Sequence, residues 1–123
     1  MASYFPPNYL TFKAAGAIPL GHIVKGGADR EHVAVSALST NKHIGVCMTS
    51  DVTTLDNAVE VAVGGGGGKA KLGGTVAFGD LLTSDANGKA VATTTALDRI
   101  VGIAMEDGVL NDLASIHVMP GIV

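Results

Sequence analysis

From Ala14 onward, apolar residues come in short runs broken about every 8–12 residues by Gly, Pro, Asn or Asp, and no window sustains a helical period. That punctuation predicts strands joined by turns. Ile18–Lys25 reads as a strand broken at Gly21, and Gly26-Gly27-Ala28-Asp29 as a turn. His32–Ala37 alternates imperfectly, like a returning strand. The clearest hairpin is Leu81-Leu82-Thr83, a Ser84-Asp85-Ala86-Asn87-Gly88 turn, then Lys89–Thr93. Asn-Gly there supplies the positive φ angles that tight hairpin turns require. Ala96–Arg99 and Asp51–Asn57 read as single helical turns. The fold class expected is all-β, a compact barrel or sandwich.

The runs also echo one another. Ile18-Pro19-Leu20-Gly21-His22-Ile23-Val24 is matched by Val76-Ala77-Phe78-Gly79-Asp80-Leu81-Leu82. His43-Ile44-Gly45-Val46-Cys47-Met48 is matched by Ile100-Val101-Gly102-Ile103-Ala104-Met105, and Val59–Val63 by Ile116–Met119. The offset is roughly 57 residues, with slips that loops can absorb. Two repeated β units are therefore expected, at about 14–63 and 75–121, joined by a Gly-rich segment over 64–74. Polar residues do not recur in step. Packing positions kept while chemistry drifts suit a scaffold better than an active site.

Residues 1–13 differ in composition from the rest. They hold both Tyr, two of the three Phe, and the pair Pro6-Pro7, which favours extended backbone. This segment is expected to be an extended arm before a single β domain at 14–123, with a first edge strand or a disordered tail as the plainer readings. Its aromatic residues would anchor it on a partner, so Tyr4, Phe5, Pro6, Pro7, Tyr9 and Phe12 are the expected contact residues. Gly64–Gly68 is five glycines in a row. It reads as a flexible linker or hairpin tip, or as an ordered segment packed closely on another backbone.

Composition narrows the function. The chain has 123 residues, 47% hydrophobic but only 4% aromatic, with 17 Gly and no Trp. Its apolar content is mostly Ala and Val, so burial leaves a thin margin over chain entropy. Stability gained from a second copy or a partner is the expectation. Net charge is −3, with Lys and Arg scattered singly, so no nucleic-acid partner is expected. No apolar stretch is long enough for a membrane helix, and Met1–Lys13 lacks the basic and apolar regions of a secretory signal. No membrane partner is expected, and the chain reads as one made in a cytoplasm.

Candidate chemistry is sparse. The glycine run before Lys69 lacks two P-loop essentials, because Val63 and Ala70 occupy the positions of the first Gly and the Ser or Thr. Lys69 also stands where the third Gly of a dinucleotide-binding G-x-G-x-x-G belongs. His22, His32, His43 and His117 show no metal-ligand spacing. His43 and His117 read as solvent-facing strand positions, and Cys47 as a small buried thiol. No G-x-S-x-G elbow is present, and the carboxylates fall mostly in turns. No catalytic residue, metal or cofactor is expected, and the chain is not expected to be an enzyme.

Several segments together carry a resemblance. They are Ala15-Gly16-Ala17-Ile18 with Gly21 and Val24, Ile44-Gly45-Val46, Val59–Val63, and Gly73-Gly74-Thr75-Val76. They continue with Gly79–Asp85, Asn87-Gly88-Lys89-Ala90, Ile100–Ala104 and a β run near Pro120. In that order the chain resembles the capsid decoration proteins of tailed bacteriophages, the cement or head-fibre proteins. The match covers about residues 14–121; the aromatic arm and the glycine run depart from it. The resemblance implies a virion structural protein on the capsid exterior, assembled in the host cytoplasm. It implies bridging of major capsid protein subunits, which stabilises the shell, by a small oligomer, with a homotrimer or homodimer expected here. A head-fibre or tail-associated binding module, receptor- or glycan-binding, is the alternative.

Overall fold

A computed structural model describes residues 8–27, 29–49 and 55–123. Among them lie ten strands and no helix. The first five are β1 (Asn8–Ala14), β2 (Ile23–Gly26), β3 (His32–Val35), β4 (His43–Cys47) and β5 (Ala58–Val63). They close into a barrel in the order β1-β3-β2-β4-β5. All its pairs are antiparallel except β1–β3, which meet parallel at Lys13↔His32 and Ala14↔Val33.

The others are β6 (Gly67–Lys71), β7 (Leu81–Ser84), β8 (Ala90–Ala92), β9 (Arg99–Ala104) and β10 (Leu113–Ile122). They form a second sheet in the order β6-β10-β9-β7-β8. Strand pairing follows the same sequence in both sheets. β2 pairs with β3 and β4, β4 with β5, and β5 with β1; β7 pairs with β8 and β9, β9 with β10, and β10 with β6. Where the barrel closes through β1–β3, the second sheet has a single parallel bridge, Leu72↔Ala90.

Period-2 alternation explains how one set of strands serves two cores. On β2, β4 and β5, Val24, Cys47 and Val61 fill the barrel interior with Ala14, Ile18, Val33 and Val59. Their neighbours Ile23, Val46 and Ala62 face the second sheet, packing with Leu72, Leu82, Val101, Ile116 and Val118. Each fully buried Ile or Leu contributes about 1.5–3 kcal/mol of transfer free energy. Small residues let paired strands within each sheet approach closely. A Cβ on Gly45 would run into the Ala62 carbonyl, and one on Gly102 into the His117 carbonyl.

Three expectations change. Residues 8–13 are not an arm outside the β domain: Asn8 to Lys13 pair with Val63 to Ala58 of β5, so this stretch is a barrel strand. The glycine run is ordered rather than a free linker. Gly64 and Gly65 turn the chain, with φ +94° at Gly65, and Gly67 and Gly68 already belong to β6. Gly68 lies where a Cβ would press on the side chains of Ala62 and Val118, so this part of the run is closely packed. Ala96–Arg99 is not a helical turn. Asp98 N–H donates to the Thr95 carbonyl in a β-turn with Leu97 at φ +73°, and Arg99 begins β9. Asp51–Thr54, most of the other expected helical turn, lie outside the described residues. The Asn87-Gly88 hairpin joins β7 to β8 as expected, with Gly88 at φ +81° and the Asp85 carboxylate accepting from the Asn87 and Lys89 amides.

Candidate contact surface

Of the six expected contact residues, Tyr4, Phe5, Pro6 and Pro7 lie outside the described residues. Tyr9 and Phe12 are on β1, which is exposed from Asn8 to Thr11 on both faces. Tyr9 is 48% exposed and its neighbour Leu10 54%. Phe12 instead leans onto the barrel's inner cluster and lines a cleft of about 430 Å³ with Thr11, Lys13, Arg30, Glu31, Asp56 and Ala58. The structure thus separates the pair: Tyr9 is presented, Phe12 is half-buried.

Two further strongly exposed apolar groups lie on turns built alike. In Ala77-Phe78-Gly79-Asp80, Asp80 N–H donates to the Ala77 carbonyl at 3.0 Å while the Asp80 carboxylate accepts from Ala77 N–H at 2.9 Å. Val109-Leu110-Asn111-Asp112 repeats both bonds, at 3.0 and 2.9 Å. Gly79 and Asn111 take positive φ, +92° and +70°, and each turn lifts its second residue outward. Phe78 is 67% exposed and Leu110 57%. Pro19-Leu20-Gly21-His22 forms a third turn with the backbone bond alone, His22 N–H to the Pro19 carbonyl, with Gly21 at +79° and Leu20 half-buried. The Phe78 and Leu110 loops are joined by reciprocal bonds between Val76 and Gly108 and by Phe78 N–H to the Asp107 carboxylate, 2.8 Å. Reading the aromatic arm alone missed these residues. The signal was present: a large apolar residue set before Gly or Asn and then Asp, a position with no core to fill.

The histidines occupy four different environments. His43 is buried, not solvent-facing. It sits where the two sheets meet, its Nδ1 2.9 Å from Ser36 Oγ and its Nε2 3.4 Å from Thr83 Oγ1. Burial holds its imidazole below the ordinary histidine pKa. Thr83 and Ser84 hydroxyls donate across the same seam to the Ser39 and Ser36 carbonyls. Half-buried His117 is on β10, His22 ends a turn, and His32 lies at the barrel rim between two carboxylates. Cys47 is inside the barrel with its thiol donating to the Thr49 carbonyl. Among the described residues, no group of three His, Cys, Asp or Glu is placed to hold a metal ion, and no helix is long and apolar enough to cross a membrane. This surface offers shape and apolar contact.

No protein-family model and no curated protein matches the chain. Among solved structures, it is similar to the head fiber gp8.5 N base of bacteriophage phi29, with a TM-score of 0.70. The two are 19% identical, and the match covers 90% of this chain and 92% of that one. At that identity the likeness is one of fold.

Proposed function

We propose that this chain is a structural protein of a bacteriophage virion that binds the outer surface of the assembled capsid, bridges major capsid protein subunits, and so stabilises the shell. The observation that carries the reading is the shared fold, which extends over nine-tenths of both this chain and a phage head-fibre base. The surface agrees with it. Phe78, Leu110, Tyr9 and Leu10 are large apolar groups held out on rigid turns or a paired strand. Such groups bind by complementary contact with little ordering cost.

The mechanism requires no titrating group at the interface. A subunit that touches several shell proteins at once adds weak contacts through effective concentration. Binding only the expanded lattice shifts the equilibrium toward the intact shell. A homotrimer or homodimer would multiply those contacts. Purified chain should sediment with expanded, emptied heads of its phage and not with unexpanded shells; failure to sediment with either overturns the proposal. A second reading, favoured by the neighbour's being a fibre base, is that the domain seats a head fibre. Virion micrographs showing a projection labelled by antibody to this chain would select it.

A further inference from the structure

His32 lies where three segments of the barrel rim converge. Its Nδ1 is 2.8 Å from Asp29 Oδ1 in the β2–β3 turn, and its Nε2 is 2.6 Å from Asp56 Oδ1 at the end of the β4–β5 connection. A neutral imidazole carries one N–H donor and one lone pair, and two ionised carboxylates can only accept. Both contacts hold together only when the ring carries two protons. Asp29 is fixed from behind: the same Oδ1 also accepts from the Glu31 and His32 amides, at 2.9 and 3.1 Å. Those bonds, led by the one to the His32 ring, keep its carboxyl below the ordinary range. Among the described residues no backbone amide donates to the Asp56 carboxylate, and Asp56 adopts φ +67°, a conformation that costs a non-glycine residue free energy.

The place matters because the barrel closes there. Lys13 N–H donates to the Glu31 carbonyl and Ala15 N–H to the Val33 carbonyl, the parallel β1–β3 contact. Ala14 N–H donates to the Asn57 carbonyl and Asp56 N–H to the Ala14 carbonyl, tying the connection to the same strand end. The charged groups facing the site are Asp29, Arg30 and Glu31 from the turn, Lys13 from β1, paired with Glu31 at 3.8 Å, and Asp56 from the connection. β2 ends beside it at Gly26, and Gly27 follows; neither carries a charge.

We propose that Asp29, His32 and Asp56 form a proton-dependent clip that fastens the β4–β5 connection to the β1–β3 seam. Loss of the ring proton leaves Nδ1–H on Asp29 and turns the Nε2 lone pair toward Asp56. The Asp56 side lets go while the Asp29 side stays. The hydrogen bonds to Asp29, then to Asp56, raise the imidazole above its ordinary 6.5. The clip is therefore fully closed below 6.5 and opens as pH rises through the higher folded-state value.

The test follows ring nitrogens and backbone amides by NMR in the full chain between pH 5 and 9. His32 should titrate above 6.5 with both nitrogens protonated on the acid side. Protection factors of the Asp56 and Ala14 amides should fall several-fold across that same midpoint, while that of Glu31 does not. Asp56→Asn should lower the midpoint, and His32→Gln should abolish the step in protection. A midpoint at or below 6.5, protection that does not follow it, or a step that survives in His32→Gln overturns the clip. Should His32→Gln fail to fold, the midpoint shift in Asp56→Asn decides.

Discussion

Replacing Gly45 or Gly102 by alanine adds one methyl group at a place where none fits. The new Cβ of Gly45→Ala would lie against the Ala62 carbonyl oxygen, and that of Gly102→Ala against the His117 carbonyl oxygen. Both approaches fall well inside the ~3.3 Å at which carbon and carbonyl oxygen ordinarily meet. The obstacle is backbone, so no rotamer change relieves it. At Gly45, β5 would have to move away from β4, straining the Val46↔Ala62 and Cys47↔Val61 pairs and drawing Ala62 out of the shared core. Overpacking of this kind costs about 1–3 kcal/mol, and each weakened ladder bond about 1 kcal/mol more. A loss of about 3–5 kcal/mol is expected at either site, a large share of the roughly 5–15 kcal/mol that holds a domain together.

Gly16 and Gly74 are the controls. Neither has positive φ, and a Cβ at either meets nothing within 4 Å. Alanine there should be neutral or stabilise by up to about 1 kcal/mol, since it restricts the unfolded chain. Urea unfolding followed by far-ultraviolet circular dichroism reads all four, as the chain has no Trp to report by fluorescence. With a slope of about 1–3 kcal/mol per molar, the Gly45 and Gly102 variants should lose a molar or more in midpoint, or fail to fold. If both stay within about 1 kcal/mol of the parent, the close approach of these paired strands is refuted.

Other measurements bear on different elements. Deleting residues 1–13 should unfold the barrel, because it removes the strand paired with β5 from Asn8 to Lys13; a native spectrum after that deletion would refute the role of β1. Ile116→Ala empties the fully buried centre of β10 and should cost about 2–5 kcal/mol in the same urea assay. His43, held below 6.5 by burial, stays neutral while the unfolded chain takes up a proton, so its contribution to stability is lost as pH falls from 6.5 toward its folded value. His43→Gln should flatten that part of the stability-against-pH curve. Phe78→Asp and Leu110→Asp, at exposed turns, should change stability by no more than about 0.5 kcal/mol yet weaken sedimentation with expanded heads.

The strands were legible because their signals are local. Alternation and Asn-Gly punctuation placed the β7–β8 hairpin directly, since turn chemistry needs only neighbouring residues. The arm was misplaced because pairing is not local: nothing near Tyr9 or Phe12 announces that Ala62 and Val59 lie opposite. His43 misled for a related reason. A polar residue at a strand start reads as solvent-facing until a second sheet covers it and Ser36 and Thr83 supply its partners. The exposed turns were half visible. Gly21 and Gly79 marked two, but the third uses Asn111 for the left-handed position and Gly108 where the others have Ile18 and Val76, so the apolar echo is broken there. Asn tolerates that backbone region better than most residues, which is why the geometry survives the substitution.

The pairing of β1 with β5 sets the timetable by which the molecule takes shape. Thr11 bonds to Glu60 across 49 residues, and Asn8 to Gly64 across 56. The barrel therefore has no local route to closure, and its last seam waits until nearly the whole first sheet has left the ribosome. Topologies dominated by such distant partners fold in milliseconds to seconds rather than microseconds. Through that interval the edges of β1 and β5 are open to other nascent copies, so crowding during synthesis is when this protein is most exposed to misassembly.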